Sequence, residues 1–356
     1  MPERFLIIGG GAIGLTSAIA LLREGYQVTL IERNAIGQEA SWAGGGILSP
    51  LCSWDYLEPV TRLTQRSMDM FAEQMQSLMA ATGIDPEYRQ SGMLILPPCR
   101  DELARRWCSE HDVELQQVDL SQHLPGIEGS GLLMPDIAQV RNPRLLQALR
   151  RQTELLGGII LEQHEALGFD IVNDRIAGLQ TSQGRLCADN YVMAAGAWSK
   201  ALLGEHALSM DVRPVRGQIL LLKFDAPPFE NILLQESLYL IPRADGHVLI
   251  GSTLEQAGFD KSTTDDARTS LLERVYALFP AWRDRPVIRH WAGLRPGSPD
   301  NIPTIGKHPR LVNLYANCGH FRYGVTMSLA CADLLLGEIE NRAQPLPMDA
   351  YRWRES

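Results

Sequence analysis

Four stretches of the chain hold residues whose types and spacing could do chemistry. Gly9-Gly10-Gly11-Ala12-Ile13-Gly14 is a G-x-G-x-x-G, followed at some distance by Glu32. In that pattern Gly9 permits a tight turn, Gly11 lets the backbone approach a pyrophosphate, and Gly14 lets a helix pack on a strand. The helix N-terminus then offers free N–H groups to the phosphates. Glu32 can accept hydrogen bonds from ribose 2′- and 3′-hydroxyls and repels a 2′-phosphate, which disfavours NADP and leaves FAD and NAD open. Ala40-Ser41-Trp42-Ala43-Gly44-Gly45-Gly46-Ile47-Leu48 carries three consecutive glycines. They suit either a backbone pressed against a large flat ligand or a flexible surface loop. Arg295 lies in the apolar, tight segment Trp291–Pro296, where a guanidinium without a partner is costly. Its planar fork matches a carboxylate, of a ligand or of a structural ion pair. Cys318-Gly319-His320-Phe321-Arg322-Tyr323-Gly324 reads as a glycine-rich turn into a helix whose positive dipole end faces an anion.

Other chemistries lack their residues. The eight histidines are scattered and form no HExxH, which argues against a metal site. No G-x-S-x-G or Cys/His arrangement suggests hydrolysis. Glu102, Glu110, Asp112 and Glu114 read as a solvated face.

The elements that must position these groups follow from hydrophobic patterning. Phe5–Ile8 is a short apolar run of buried-strand size, a helix follows the glycines and ends by Gly25, and Val28–Ile31 delivers Glu32. Pro143–Leu156 reads as a crossover helix leading through Gly157-Gly158 to a strand at Ile159–Leu161. Tyr191–Ala195 is an apolar strand ending in Gly196-Ala197-Trp198-Ser199. Ser237–Arg243, with Tyr239 at a strand position, pairs through Asp245-Gly246 with His247–Thr253, since Asp-Gly tolerates φ > 0. Met93–Leu96 and Gln218–Phe224 are further strand-like runs, Thr264–Phe279 a helix, and Met327–Glu340 a helix entered from Gly319–Thr326.

With 356 residues the chain allows one large domain or two ordinary ones. Hydrophobic residues at 45% and charged residues at 21% are ordinary globular composition. Lys+Arg 33 against Asp+Glu 42 gives −9, and without a basic block neither nucleic acid nor an anionic membrane is an expected partner. Gly9–Leu22 follows a strand rather than a basic region and so is no signal peptide. No run of 18 apolar residues predicts a membrane span. Cysteines 52, 99, 108, 187, 318 and 331 form no CxxC and read as reduced thiols of a cytoplasmic protein.

Taken in order, the glycine-rich N-terminus, the Ala40–Leu48 loop, Tyr191–Ser199, Ser237–Thr253, and Trp291–Pro296 with Cys318–Gly324 resemble the D-amino-acid-oxidase-like FAD oxidoreductases over nearly the whole chain. Within them the likeness is closest to the glycine-oxidising branch that serves thiamine biosynthesis, through Trp291–Pro296 and Gly319–Arg322. The resemblance implies an α/β fold: a Rossmann-type FAD-binding domain, discontinuous over 1–82, 137–212 and 290–356, with a second, largely antiparallel-sheet substrate domain from 83–136 and 213–289. It implies FAD contacts by Gly9, Gly11, Ala12, Ile13, Gly14, Glu32 and Arg33. A loop with Ala40, Ser41, Gly45, Gly46 and Ile47 would run under the isoalloxazine, Ala166 would meet adenine through its backbone, and Gly196 would lie at a flavin-side turn. His320, Phe321, Arg322, Tyr323, Gly324, Val325 and Thr326 would contact FAD largely through backbone.

By the same resemblance Arg295 and Tyr239 hold the substrate carboxylate, Arg322 is a second cation facing the amine or flavin, and His320 is a weaker candidate for a general base. The implied reaction is oxidative deamination of glycine and small amino acids such as sarcosine and small D-amino acids. Hydride passes to flavin N5 and on to O2, giving glyoxylate or the 2-oxo acid, ammonia and H2O2. The glycine imine would supply the thiazole of thiamine, with hand-over to the thiazole synthase, and the protein would be a homo-oligomer. Ile47 and Leu254 stand where the branch can carry pocket methionines, which keeps the lining apolar. Covalent-flavin relatives use a cysteine in the segment corresponding to Leu294–Asp300, which has none here, so FAD is expected to be non-covalent, with Cys318 the nearest thiol. The alternatives are a D-amino-acid dehydrogenase passing electrons to a quinone, a flavoprotein subunit of a larger electron-transfer complex, and an NAD-dependent dehydrogenase.

Overall fold

The first strand, Arg4–Ile8, is central because Phe5 through Ile8 are four apolar residues in a row, all buried, as a strand covered on both faces requires. In the computed structural model, which describes residues 2–353 and 355, this strand sits inside a six-stranded sheet. The order is Thr304–Lys307, Leu314–Cys318, Asn190–Met193, Arg4–Ile8, Gln27–Ile31 and Ile159–Leu161. All neighbours pair in parallel except Thr304–Lys307, which runs antiparallel to Leu314–Cys318. Helices Ala12–Arg23, Asn142–Leu155 and Gly324–Glu340 cover one face, and the long helix Glu58–Thr82 packs behind them. Its apolar side, Val60, Leu63, Phe71, Met75 and Leu78, joins that core.

On the other face lies a three-stranded antiparallel meander, Ala166–Val172, Arg175–Thr181 and Gly184–Leu186. The sequence reading anticipated neither this meander nor the helix Glu58–Thr82. Both carry a legible signal: Leu167, Phe169 and Ile171 alternate along the first meander strand, and the helix has an apolar spacing.

The second sheet has eight strands in the order Arg289–Gly297, Arg213–Lys223, His247–Gly251, Leu238–Pro242, Ile232–Gln235, Met93–Ile95, Ser130–Met134 and Gln116–Asp119. Every pairing is antiparallel except that of Ile232–Gln235 with Met93–Ile95. The expected hairpin is present, with Gly246 at φ +82 in its turn. Side chains alternate across this sheet. Leu220, Leu222, Leu240, Val248 and Ile250 pack under helix Asp265–Leu278, and Ile219, Tyr239, Ile241 and Leu249 face the other way. Arg289–Gly297 begins one residue before the boundary drawn at 290, and its ladder runs to Arg213–Lys223 in this sheet. The carboxylates Glu102, Glu110, Asp112 and Glu114 are exposed.

Candidate functional site

A cavity of about 460 Å³ runs from Glu32, at the carboxyl end of the parallel strands, to Arg295 and Tyr239 on the antiparallel sheet. Two glycines shape its first end. A Cβ on Gly9, which holds φ +115, would lie 2.4 Å from the Ala194 carbonyl oxygen. One on Gly14 would lie 1.9 Å from the Gly9 carbonyl oxygen, so only glycine lets this helix close on its strand. Glu32 accepts from Gly10 N at 3.0 Å and from Asn34 N at 3.1 Å, which orients the carboxylate and leaves lone pairs for hydroxyl donors. The Arg33 guanidinium lies 3.6 Å from the centre of the Trp198 ring and pairs with Glu39 at 2.6 Å. The loop after Ser252 reaches this end, with Phe259 stacked on Trp198 and Lys261 paired with Glu39 at 3.0 Å.

At the second end Arg295 is half-buried. It donates to the Thr253 carbonyl at 3.1 Å and to Ser252 Oγ at 2.7 Å. No carboxylate of the described residues pairs with it. Burial lowers its affinity for the proton, while the neighbouring Tyr239 phenol acts in the opposite sense. Room for the pair comes from two strand glycines. A Cβ at Gly217 would lie 2.1 Å from Arg295 Nη1, and one at Gly251 would lie 2.3 Å from the Tyr239 ring. Interior glycines in a strand mark such close approach and were the available signal for both positions.

Between the two ends, the Gly319–Thr326 turn and the N-terminus of helix Gly324–Glu340 form one wall. Thr326 Oγ1 donates to the Ile47 carbonyl at 3.1 Å, joining this helix to the glycine loop. Burial opposes the charge of Arg322, but the surrounding phenols Tyr323, Tyr56 and Tyr239 and the Cys52 thiol hold its pKa up. Tyr323 donates to the Tyr56 hydroxyl. Burial pushes His320 down to about 3, so its ring is neutral near pH 7 and too weakly basic for the general-base role. Cys318, raised by burial to about 12, packs against Met210 Sδ at 3.4 Å.

The cavity brings together nearly all the residues expected from sequence: Gly9, Gly11, Ile13, Glu32, Arg33, Ala40, Ser41, Gly45, Gly46, Ile47, Ala166, Gly196, Tyr239, Arg295 and the run His320–Thr326. Ala12 and Gly14 do not line it. Ala12 is wholly buried and its N–H is bonded to Ser41 Oγ at 3.0 Å, and Gly14 serves helix–strand packing. Leu254 is a correction. It is 59% exposed, because Arg216 and Glu255 exchange backbone hydrogen bonds and turn the loop outward after Ser252. Sequence reasoning also missed Asn142, which lines the cavity, and Arg243, which does not; both donate to carbonyls of the glycine loop.

These residues fit a flavin dinucleotide. Glycines stand where a Cβ would obstruct the cavity wall, two helix N-termini face it, and the lining atoms His320 Nε2 and Asn317 Oδ1 are buried with no partner among the described residues. No cluster of His, Cys, Asp and Glu suited to a metal occurs among the described residues. The six cysteines are free thiols, and no helix is long and apolar enough to cross a membrane.

Comparison with known proteins agrees with this geometry. The family model for FAD dependent oxidoreductases matches residues 4–336. A glycine oxidase of Pseudomonas aeruginosa is 41% identical, the match covering 96% of each chain. The bifunctional protein ThiO/ThiG of Synechocystis is 32% identical over 96% of this chain, which spans 52% of that longer protein. The crystal structure of glycine oxidase from Bacillus cereus superposes with a TM-score of 0.89 at 28% identity, covering 99% of both chains.

Proposed function

We propose that this chain, which belongs to the family of FAD-dependent oxidoreductases, oxidatively deaminates glycine and other small amino acids such as sarcosine and small D-amino acids. O2 is reduced and water hydrolyses the imine, so the products are glyoxylate or the corresponding 2-oxo acid, H2O2, and ammonia, or methylamine where sarcosine is the substrate. The observation that carries the reading is Arg295, a half-buried guanidinium lining the cavity beside Tyr239, with no carboxylate of the described residues against it. A substrate carboxylate completes its hydrogen bonding through two charge-assisted contacts. The glycine-oxidase names of relatives at 41% and 38% identity support the choice of substrate.

Bound FAD supplies the hydride acceptor at N5 and passes the electrons on to O2. The protein's own part is to bind and orient. Arg295 fixes the carboxylate, and the Tyr239 phenol adds a second donor to it. Ser252 and the Thr253 carbonyl keep the guanidinium from turning. The apolar wall from Ile47 and Leu51 excludes water from the Cα–H that must face the flavin. Arg322 adds positive potential without an acceptor of its own among the hydrogen bonds seen, which favours deprotonation of the substrate ammonium. His320 takes no proton.

The same proposal places FAD as non-covalent, since Cys318 is buried, strongly disfavours its thiolate and packs on Met210. The chain divides into an FAD-binding part of 1–82, 137–212 and the residues after 297, and a substrate part of 83–136 and 213–289 carrying strand Arg289–Gly297 with it. A cytoplasmic homo-oligomer that hands the glycine imine to a thiazole synthase completes the reading. The fused ThiO/ThiG relative supports the hand-over, and sedimentation velocity tests the assembly.

The deciding experiment is an absorption spectrum of the purified protein before and after anaerobic glycine, then in air. Bleaching of a flavin band with recovery and peroxide on aeration is expected. A band that glycine leaves unchanged removes glycine as substrate, and a bleached band that air does not restore removes O2 as acceptor.

A further inference from the structure

Arg243 directly follows the strand that carries Tyr239, yet it does not line the cavity and is only 4% exposed. It donates through Nη1 to Gln139 Oε1 at 2.8 Å and the Val140 carbonyl at 2.9 Å, and through Nη2 to the Gly45 carbonyl at 2.6 Å. Burial draws its pKa down to about 10, which leaves it protonated near neutral pH. A buried guanidinium held by carbonyls rather than a carboxylate is an expensive fixture for mere packing.

Asn142, 1% exposed at the start of its helix, does a matching task. Its Nδ2 donates to the Ser41 carbonyl at 2.6 Å and the Gly44 carbonyl at 3.0 Å. The Gly46 carbonyl in turn accepts from Val140 N at 2.9 Å. Three successive carbonyls, of Gly44, Gly45 and Gly46, are therefore taken up by protein donors, leaving none of them free for a ligand. In a trans peptide the N–H points opposite to its carbonyl. The N–H groups sharing those peptides belong to Gly45, Gly46 and Ile47, which line the cavity and donate to no acceptor among the described residues. A Cβ at Gly45 would lie 2.5 Å from Ile241 Cδ1, and one at Gly46 would lie 2.1 Å from the Val140 carbonyl oxygen, so the loop can be gripped this closely only as glycine.

We propose that Arg243 and Asn142 are positioning residues that hold the Gly44–Ile47 loop with its amide N–H groups turned toward the isoalloxazine, and so raise the reduction potential of the bound flavin. The inference rests on the reading that FAD occupies this cavity with its ring against the loop. Negative charge gathers on the ring system when flavin is reduced. Fixed N–H donors stabilise that charge without reorganising, and a cation one peptide behind them polarises the Gly45–Gly46 unit further.

The test uses Arg243→Met, Arg243→Lys and Asn142→Leu, each purified with FAD. Reduction potentials are measured by equilibration with a reference dye and a chemical reductant, so that no substrate is required and failure of the glycine assignment cannot mimic the result. Arg243→Met is expected to shift the two-electron equilibrium toward oxidised flavin at least tenfold, about 30 mV. Asn142→Leu should shift it in the same direction, and Arg243→Lys, which reaches one carbonyl rather than several, by less. The rate of flavin reduction by glycine should fall in the same order. Variants that lose thermal stability or FAD affinity while the flavin still bound keeps the parent potential would show a structural role only and overturn the proposal. If Arg243→Met does not fold, Asn142→Leu and Arg243→Lys decide by the same criterion.

Discussion

The two ends of the cavity are built on different principles. The end at Glu32 is local: turn, helix and acidic residue come from one continuous stretch between Arg4 and Glu32, and glycine backbone shapes it. The end at Arg295 is assembled from four strands distant in sequence. Arg295, Gly217, Gly251 and Tyr239 lie on Arg289–Gly297, Arg213–Lys223, His247–Gly251 and Leu238–Pro242, and meet only because those strands are neighbours. The lesson is that one end depends on conformation and the other on side-chain identity. Substitutions should therefore separate cofactor binding from substrate binding.

The largest separation is expected from Arg295→Ala. Removing one partner of a buried, hydrogen-bonded charge pair costs about 2–5 kcal/mol, so kcat/KM for glycine should fall by two orders of magnitude or more while FAD stays bound. Steady-state kinetics beside a flavin titration would measure both, and intact glycine affinity would break the comparison. Gly217→Ala comes next. Its Cβ would intrude on Arg295 Nη1, and overpacking of this kind costs about 1–3 kcal/mol. Glycine KM should rise roughly tenfold or more, with the flavin spectrum unchanged.

On the wall between the two ends the signature is pH. Burial depresses His320 to about 3, whereas an unfolded histidine titrates near 6.5. Between those values the unfolded chain binds the proton and the folded chain does not, so stability is present above about pH 6.5 and is lost as pH falls below it. One such group contributes a slope of at most about 1.4 kcal/mol per pH unit. His290 and His308 are lowered in the same direction. Melting temperatures from pH 7.5 to 5 should therefore decline, and His320→Gln should flatten the decline without abolishing it. The smallest effect belongs to Lys261→Ala. Its pair with Glu39 is half-exposed, so FAD affinity should weaken by less than about 1 kcal/mol, with glycine KM unchanged. A change in glycine KM instead would show that the loop serves the substrate end.

Legibility follows the same division. The first strand, the G-x-G-x-x-G turn, its helix and Glu32 could be read because each depends on neighbours in the chain. Arg295 and Tyr239 were legible only by resemblance, since a buried arginine and a strand tyrosine have ordinary structural uses. Leu254 was misplaced because the outward turn after Ser252 is set by the ladder between Arg216 and Glu255, far apart in sequence. The meander Ala166–Leu186 went unread although Leu167, Phe169 and Ile171 alternate with Gly168 and Asp170, the period-two signal of a half-buried strand.

By itself the sequence determined the dinucleotide motif, the net negative charge and the apolar runs that become both sheets. Hydrophobic periodicity and glycine's tolerance of φ > 0 act over a few residues, so composition and spacing carry them. Tertiary structure alone decided which cations lack a carboxylate, which glycines make room for Arg295, and which donors take the carbonyls of Gly44–Gly46. Those depend on desolvation and on hydrogen-bond partners brought in from remote strands, and burial of a polar group has no meaning until the chain has folded around it.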